Sequence, residues 1–581
     1  MCGIVGYIGR RDAMPIIVDG LMKLEYRGYD SFGIATISGG IELDKHQGRI
    51  SDSSFLSNNL KGKIGIGHTR WATHGVPNDI NAHPHMDCSN RIAVVHNGII
   101  ENYAELKRQL ISRGHVFRSE TDTEVVAHLV EEAYVLEKDL FLAMQKVVPM
   151  LTGSYALLVI TTGEDRIIAA RYASPLVLGV GDGEFFAASD MTPVIDHTER
   201  AIFLEDGDIA SISHEKIEVF HEGKPVQRPM ELVDWSREDT KKGGFAHFML
   251  KEIYEQPQAF YNSVRSVTNE TLPAPVKTAE SVTVIACGSS YNAGLIFKYL
   301  LENSCAIPVR LDFASEFKYF PPPVEGIVIG ISQSGETADT ITALKQAKVH
   351  NCTTLAITNV LGSSISRIAD FTLFMRAGPE ISVAATKSFV AQLAILMQIV
   401  NFLRDEEFEG TLLNGHRAIE EVLLMDLSDA VTLCRDAQSI FYVGRGPFYP
   451  VSLEGALKMK EISYIHAEGY AAGELKHGPF ALLSKETPVV AICMPGETYA
   501  VMNSNIKEMK ARGAPIIALG EEGDLELADI ADIFIPLPET HPFLQVVSAL
   551  IVLQLLAYHT AVALNCDVDK PRNLAKSVTV E

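Results

Sequence analysis

Cys2 sits directly after the initiator methionine in Met1-Cys2-Gly3-Ile4-Val5-Gly6, and removal of Met1 would leave a thiol and a free α-amine on one residue. An amine with a pKa of roughly 8 takes the proton of a thiol near roughly 8.5 at little cost, which makes a nucleophile with its own base. The alternative is a small apolar residue entering a strand. Three polar stretches downstream carry groups that such a nucleophile needs. Gly67-His68-Thr69-Arg70-Trp71-Ala72-Thr73-His74-Gly75 puts a guanidinium, an indole and an imidazole on one loop. Arg70 can grip a carboxylate through a bidentate fork, although taken alone it reads as a surface charge. In His96-Asn97-Gly98 a carboxamide and an unhindered glycine N–H can face a developing oxyanion, and an ordinary Asn-Gly turn fits the same residues. Thr121-Asp122-Thr123-Glu124 fits a capping box, so Asp122 either favours a helix N-terminus or holds an ammonium group.

The elements that must position these groups are short. Gly3 to Ile8, Phe32 to Ile37, Ile92 to Val95, Tyr155 to Ile160, Ile167 to Ala170 and Pro175 to Val180 read as strands, with helices at Ala13 to Leu24, Glu101 to Ser112 and Asp122 to Tyr134. Residues 1–236 are therefore expected to form an α+β layered domain, with helices outside stacked sheets.

At 581 residues the length prior is about four domains. The 50 basic and 73 acidic residues give a formal net charge of −23, so no nucleic-acid partner is expected. The eight cysteines (Cys2, Cys88, Cys287, Cys305, Cys352, Cys434, Cys493, Cys566) are dispersed without a CxxC pair or a zinc-type spacing. They read as reduced cytosolic thiols, and neither a metal nor a cofactor is expected. The first apolar stretch is broken by glycines and runs into Arg10-Arg11, so no secretory leader is expected. The one membrane suspect is the nearly uncharged run Val546 to Leu564.

As an ordered set, Cys2-Gly3-Ile4, Arg27-Gly28-Tyr29-Asp30-Ser31, His68 to Gly75, His96-Asn97-Gly98 and Glu120 to Glu124 resemble the glutaminase half of N-terminal-cysteine amidotransferases. The resemblance implies an N-terminal-nucleophile fold, an αββα layered sandwich. In it Cys2 attacks the glutamine amide, Asn97 and the Gly98 N–H hold the oxyanion, Arg70 binds the α-carboxylate and Asp122 the α-ammonium. Thr73 and His74 belong to the same glutamine-binding loop, and Trp71 helps to gate an ammonia passage.

The charged, glycine-terminated stretch Arg237 to Gly244 reads as a linker. Beyond it the same unit occurs twice. Strands ending in glycine (Val282 to Gly288, Ile440 to Gly444) precede a helix, and second strands end in Ser334-Gly335-Glu336-Thr337 and Pro495-Gly496-Glu497-Thr498. Third strands reach Leu355-Ala356-Ile357 and Ile517-Ala518-Leu519, and Asp370 and Asp532 lie 35 and 36 residues past Gly335 and Gly496. Two tandem α/β domains with mostly parallel sheets follow, at 245–425 and 426–565, with a tail at 566–581. The repeat also accounts for the membrane suspect, because Ser388 to Leu403 occupies the same place in the first copy. A core helix explains both.

Ser332-Gln333-Ser334-Gly335-Glu336-Thr337 sits between a strand and a helix, where hydroxyls, a carboxamide and backbone N–H groups suit a phosphate, and Ser289 and Ser290 can add donors. Ordinary capping is the alternative for one copy, but the second copy has lost these hydroxyls. This pattern resembles paired sugar-isomerase domains that bind phosphorylated sugars. The two halves together, with Leu457 to Tyr464, Gly473 to Pro479 and the ending Asp569 to Glu581, resemble the isomerizing glutamine:fructose-6-phosphate aminotransferase family over the full chain.

The resemblance implies that L-glutamine and fructose 6-phosphate become glutamate and glucosamine 6-phosphate, the entry to UDP-N-acetylglucosamine synthesis, in a cytoplasmic homodimer or larger homo-oligomer without a membrane. Lys576, beside Ala575, would form a Schiff base with the open keto sugar, Glu461 would move a proton between C1 and C2, and His477 would assist ring opening, from a neighbouring subunit if needed. Lys458, one turn before Glu461, keeps that carboxylate ionised or contacts the sugar. Without the resemblance, Lys458 and Glu461 read as a solvated ion pair and Lys576 as a surface lysine. Ala385 stands where the family commonly has a serine, which removes one sugar contact, while Val383 and Thr386-Lys387 are kept.

Three other readings fit less of the chain. No pyrophosphatase loop or phosphoribosyl-pyrophosphate motif marks another amidotransferase. An enzyme that removes the amino group needs no glutaminase. A sugar-phosphate sensor needs none of Cys2, Glu461 and Lys576.

Overall fold

Successive side chains of a strand point to opposite faces, and the strand Ile92–Ile100 uses both. Ala93 and Val95 enter a core between two sheets, whereas Ile92 and Val94 pack under helices. The computed structural model describes residues 2–52, 60–71, 74–233, 241–319, 326–404 and 408–578. It divides the chain into two units, residues 1–240 with 575–581, and residues 241–574. Thr73 and the first half of the predicted linker, residues 237–240, lie outside the described residues.

In the first unit, two antiparallel sheets of eight and seven strands face each other. At the centre of the larger sheet Gly3–Ile8 pairs with Ile64–Arg70, which pairs with Ser31–Ile37. In the other, Ile92–Ile100 pairs with Gly153–Thr161, which leads to the central strand Arg166–Tyr172. Ile4, Ile8, Ile66, Val95, Leu158 and Ile160 fill the layer between them. The helices Tyr103–Ser112, Glu124–Glu137 and Leu140–Val147 cover the outer face of the smaller sheet. Helix Ala13–Lys23 lies on the larger sheet so closely that a Cβ on Gly67 would come within 2.3 Å of Ile17. The expected αββα layering is present, because each sheet is apolar on one face for its partner sheet and on the other for helices.

The second unit holds two five-stranded parallel sheets with one shared order. The first runs Val309–Phe313, Val282–Ala286, Ile327–Ile331, Thr353–Thr358, Phe371–Phe374. The second runs His466–Ala471, Ser439–Gly444, Val489–Ile492, Ile516–Glu521, Ile533–Leu537. The repeat read from the sequence is therefore structural. Its edge strands were not apparent there, because Val309–Phe313 carries Arg310 and Asp312 and lacks a continuous apolar run. The corresponding helices Lys387–Leu403 and Pro542–Ala563 are buried. The latter is the one helix among the described residues long and apolar enough to cross a membrane, yet 83% of its apolar window is inside the protein. It packs on Phe448–Ser463 as a core helix.

Candidate active site

Strand pairing brings Cys2 to its partners. Gly3 pairs with Thr69, so the residue before Gly3 meets the end of Ile64–Arg70. There the Trp71 N–H donates to Cys2 Sγ at 3.2 Å. The Asn97 carboxamide donates from Nδ2 to the Cys2 carbonyl at 2.9 Å, and Arg27 Nε donates to the same oxygen at 3.3 Å. Arg27 is anchored in turn by Asp190, at 2.8 Å. An amide nitrogen has two N–H groups, so Asn97 keeps a second donor beside Cys2. Burial pushes the Cys2 thiol up, opposed by the Trp71 N–H and the Arg70 guanidinium. The resting sulfur is a thiol that needs a base to become a nucleophile.

His96, Asn97 and Gly98 do not form the turn that the sequence allows. All three lie inside the strand Ile92–Ile100, paired with Leu157, Ala156 and Tyr155. Gly98 has φ +123°, and a Cβ there would meet the Ser154 carbonyl at 2.0 Å, so only glycine lets the strand continue past Asn97. His68 sets the orientation of Asn97. Its Nε2 faces two acceptors, the His96 carbonyl at 2.9 Å and Asn97 Oδ1 at 3.1 Å, which requires the Nε2–H tautomer and turns the amide nitrogen toward Cys2.

Arg70 is buried at the end of its strand, so the surface-charge reading falls. Its Nη2 donates to the carbonyls of His74 and Gly75, which shapes the loop. Its Nη1 is buried with no hydrogen-bond partner among the described residues, a donor available to a carboxylate. Trp71 meets Tyr29 edge to face at 5.7 Å, and His74 meets Tyr103 likewise. The capping box does not form. Asp122 is buried and accepts the Ile100 N–H at 2.8 Å, tying the start of helix Glu124–Glu137 to the strand that carries Asn97. Thr121 instead reaches His85, and Glu124 accepts the N–H groups of Arg118 and Ser119.

Behind this site His68 stacks on His83 with centroids 4.1 Å apart, and His83 meets His85 edge to face at 4.6 Å. Burial pushes His68 down to about 3 and His83 and His85 well below the ordinary imidazole value. All three stay neutral in the folded protein while the unfolded chain binds protons below about pH 6.5, so stability is present above that pH and lost as pH falls. Each contributes about 1.4 kcal/mol per pH unit of this loss. The melting temperature of the first unit is expected to fall steeply between about pH 6.5 and pH 5, and in His83→Gln to fall less steeply over the same window by calorimetry.

In the second unit, the strand order reverses between Val282–Ala286 and Ile327–Ile331, the crevice position where open α/β sheets bind ligands. The two carboxyl ends are adjacent, Ala286 beside Ile331, and lead into Ser289-Ser290 and Ser332 to Thr337. Ser332 Oγ bonds Thr337 Oγ1 at 2.9 Å and accepts the Gly335 N–H at 3.1 Å, curling the loop over helix Ala338–Val349. Glu336 pins the loop by accepting from Ser364 through both carboxylate oxygens. The half-buried Gln333 accepts the Asn359 N–H through its carbonyl.

Helix Phe448–Ser463 of the second copy reaches this crevice. Lys458 Nζ donates to Ser289 Oγ at 3.2 Å and pairs with Glu461 at 2.5 Å and Glu454 at 3.4 Å. Lys458 and Glu454 are fully buried, so the solvated-pair reading falls for Lys458. Burial pulls the Lys458 ammonium down, but Glu461 and Glu454 together hold it well above its ordinary value, while burial pushes the Glu454 carboxyl up. Ser290 accepts from Gln392 at 3.1 Å. The Val383 N–H donates to the Asp569 carbonyl, and the Asp569 carboxylate accepts the N–H groups of Phe248 and Met249. His477 is exposed at the end of a 3-10 turn. Ala575 and Lys576 are half-buried and belong to the first unit.

Several residues here carried no role in the sequence reading. Arg27 and His68 lie within the quoted motifs, but only the fold shows them orienting Cys2 and Asn97. Glu454 was signalled by the i, i+4 spacing to Lys458, and Asn292, which donates to it at 2.8 Å, by nothing local.

The glutamine amidotransferase domain family matches residues 68–196, and the SIS domain family matches residues 276–402 and 433–564. Glutamine–fructose-6-phosphate aminotransferase (isomerizing) of Thermotoga maritima is 48% identical to this chain, and that of Methanosarcina acetivorans 46%, each over the full length of both chains. The solved C-terminal domain of glucosamine-fructose-6-phosphate aminotransferase from Francisella tularensis is 35% identical, covers 57% of this chain and 99% of its own, and superposes with a TM-score of 0.53. With Cys2 held beside Asn97 and a doubled sugar-isomerase sheet behind it in sequence, the chain belongs to the glutamine–fructose-6-phosphate aminotransferase (isomerizing) family.

Proposed function

We propose that the chain converts fructose 6-phosphate and L-glutamine into glucosamine 6-phosphate and glutamate. The α-amine of Cys2, freed by removal of Met1, takes the thiol proton, and sulfur attacks the glutamine amide carbon. Asn97 Nδ2 and the Gly98 N–H hold the oxyanion, Arg70 and Asp122 hold the α-carboxylate and α-ammonium, with Thr73 and His74 on the same loop. Ammonia leaves, water cleaves the thioester, and glutamate departs.

The phosphate of fructose 6-phosphate rests on Ser289, Ser290, Ser332, Gln333, Ser334 and Thr337, with Val383 nearby. His477 assists ring opening, supplied by a partner subunit of a homo-oligomer. Lys576 condenses with the C2 ketone, releasing water, and ammonia displaces the lysine. Glu461, paired with Lys458, carries the C1 proton to C2, so the ketimine becomes the amino aldose. Trp71 gates the ammonia.

The observation that carries this reading is the convergence of Asn97 Nδ2, the Trp71 N–H and Arg27 on Cys2, at 2.9, 3.2 and 3.3 Å. A paired assay of glutamate and glucosamine 6-phosphate tests it. Equal release of both is expected with sugar present, and little glutamate without it. Glutamate formation with no amino sugar under any condition would overturn the synthase half.

A further inference from the structure

Cys88, His115, His128 and Glu131 lie apart in the sequence, yet each offers one donor atom to a cluster in which all four atoms are within 4.8 Å of one another. Cys88 Sγ is 3.5 Å from Nδ1 of both His115 and His128. Glu131 Oε2 is 3.1 Å from His115 Nδ1 and 3.5 Å from His128 Nδ1. A tetrahedral zinc ion about 2.3 Å from sulfur and about 2.0 Å from nitrogen and oxygen requires donors about 3.3 to 3.6 Å apart; three of the four distances above, at 3.5 Å, fall in that range and the fourth, at 3.1 Å, lies just below it.

Both imidazoles turn Nδ1 inward and direct Nε2 at a carboxylate. His115 Nε2 is 3.1 Å from Glu132 Oε1, and the buried His128 Nε2 is 3.6 Å from Glu124 Oε1. At His115 the carboxylate in this outer position fixes the tautomer that turns Nδ1 to the cluster, whereas His128 Nε2 at 3.6 Å is beyond hydrogen-bond distance of Glu124. Cys88 is solvent-accessible, which gives an ion a way in.

We propose that Cys88, His115, His128 and Glu131 form a binding site for one zinc ion in the glutaminase unit, distinct from the Cys2 site. Four protein ligands close the coordination sphere, so the site is structural and supplies no open position for substrate. The ion ties together the turn after strand His85–Met86, the segment after helix Tyr103–Ser112, and helix Glu124–Glu137, which begins two residues past Asp122. It thereby steadies the helix end that carries Asp122.

The test is metal analysis of the full chain purified with Zn2+ and dialysed against a weak chelator. One zinc per chain is expected, and Co2+ in its place should give a thiolate charge-transfer band with intense tetrahedral d–d bands. Cys88→Ser should abolish the charge-transfer band and His115→Ala the retained zinc. Glu132→Gln, which changes no ligand, should weaken zinc binding by about 10- to 100-fold. A wild-type chain that retains no zinc and shows no thiolate–cobalt band overturns the site, as does equal retention by Cys88→Ser. If a variant fails to fold, the wild-type cobalt spectrum and stoichiometry decide alone.

Discussion

Cys2→Ala is expected to release no measurable glutamate from glutamine, a loss of about 10⁴-fold or more in kcat, while fructose 6-phosphate is still converted to glucose 6-phosphate by the isomerase half. The loss is large because the imidazoles described beside Asn97 are not available to form the acyl intermediate. His68 and His96 are buried, neutral and committed to orienting Asn97 and Thr123. Arg70 and Asp122 remain in the variant, so glutamine still binds, and its Kd, read as protection from thermal unfolding, should change little. Glutamate release at a rate near that of the unmodified chain would remove Cys2 from its role. A chain that retains Met1 should behave like the variant, because its α-amine is then a peptide nitrogen with no basicity, and intact-mass measurement distinguishes the two.

Lys576→Arg is expected to stop glucosamine 6-phosphate formation with a comparable loss and to abolish borohydride trapping of the sugar. A guanidinium stays protonated and cannot condense with a ketone, while its size and charge keep the surrounding structure. Glutaminase turnover should survive, measured as glutamate in the same assay, because that half-reaction is assigned to Cys2, Asn97 and Arg70. Persistent trapping in the variant would assign the Schiff base to another amine. Lys458 is the natural competitor, but its ammonium is held protonated by Glu461 and Glu454, and a protonated amine is no nucleophile at neutral pH.

Much of the chemistry was legible in short windows. The strand Gly3–Ile8 and the duplicated strand-loop-helix unit follow from runs whose periodicity is local; the first has the expected bounds, and the first strands of the repeat differ from expectation by a residue or two. The loops Ser332 to Thr337 and His68 to Gly75 announced themselves by residue type. Where reading failed, the failure was one of partners. Asn97-Gly98 looks like a turn in any window, and only pairing with Ala156 and Tyr155 carries it through as strand. Asp122 looks like a cap, and only the Ile100 N–H shows its tie to the strand that carries Asn97.

What the sequence determined by itself is the order of the domains, and it named the candidate groups for the chemistry, since both are written in contiguous motifs. Tertiary structure alone decided which groups are dry, which are paired and which converge. Arg70 is buried with a spare donor, Lys458 is enclosed by two carboxylates, and Cys88, His115, His128 and Glu131 bring four donor atoms within 4.8 Å of one another. Those properties depend on strand pairings and helix contacts between distant residues. The cost of burial and the geometry of donors are set by everything packed around a side chain, which no local spacing encodes.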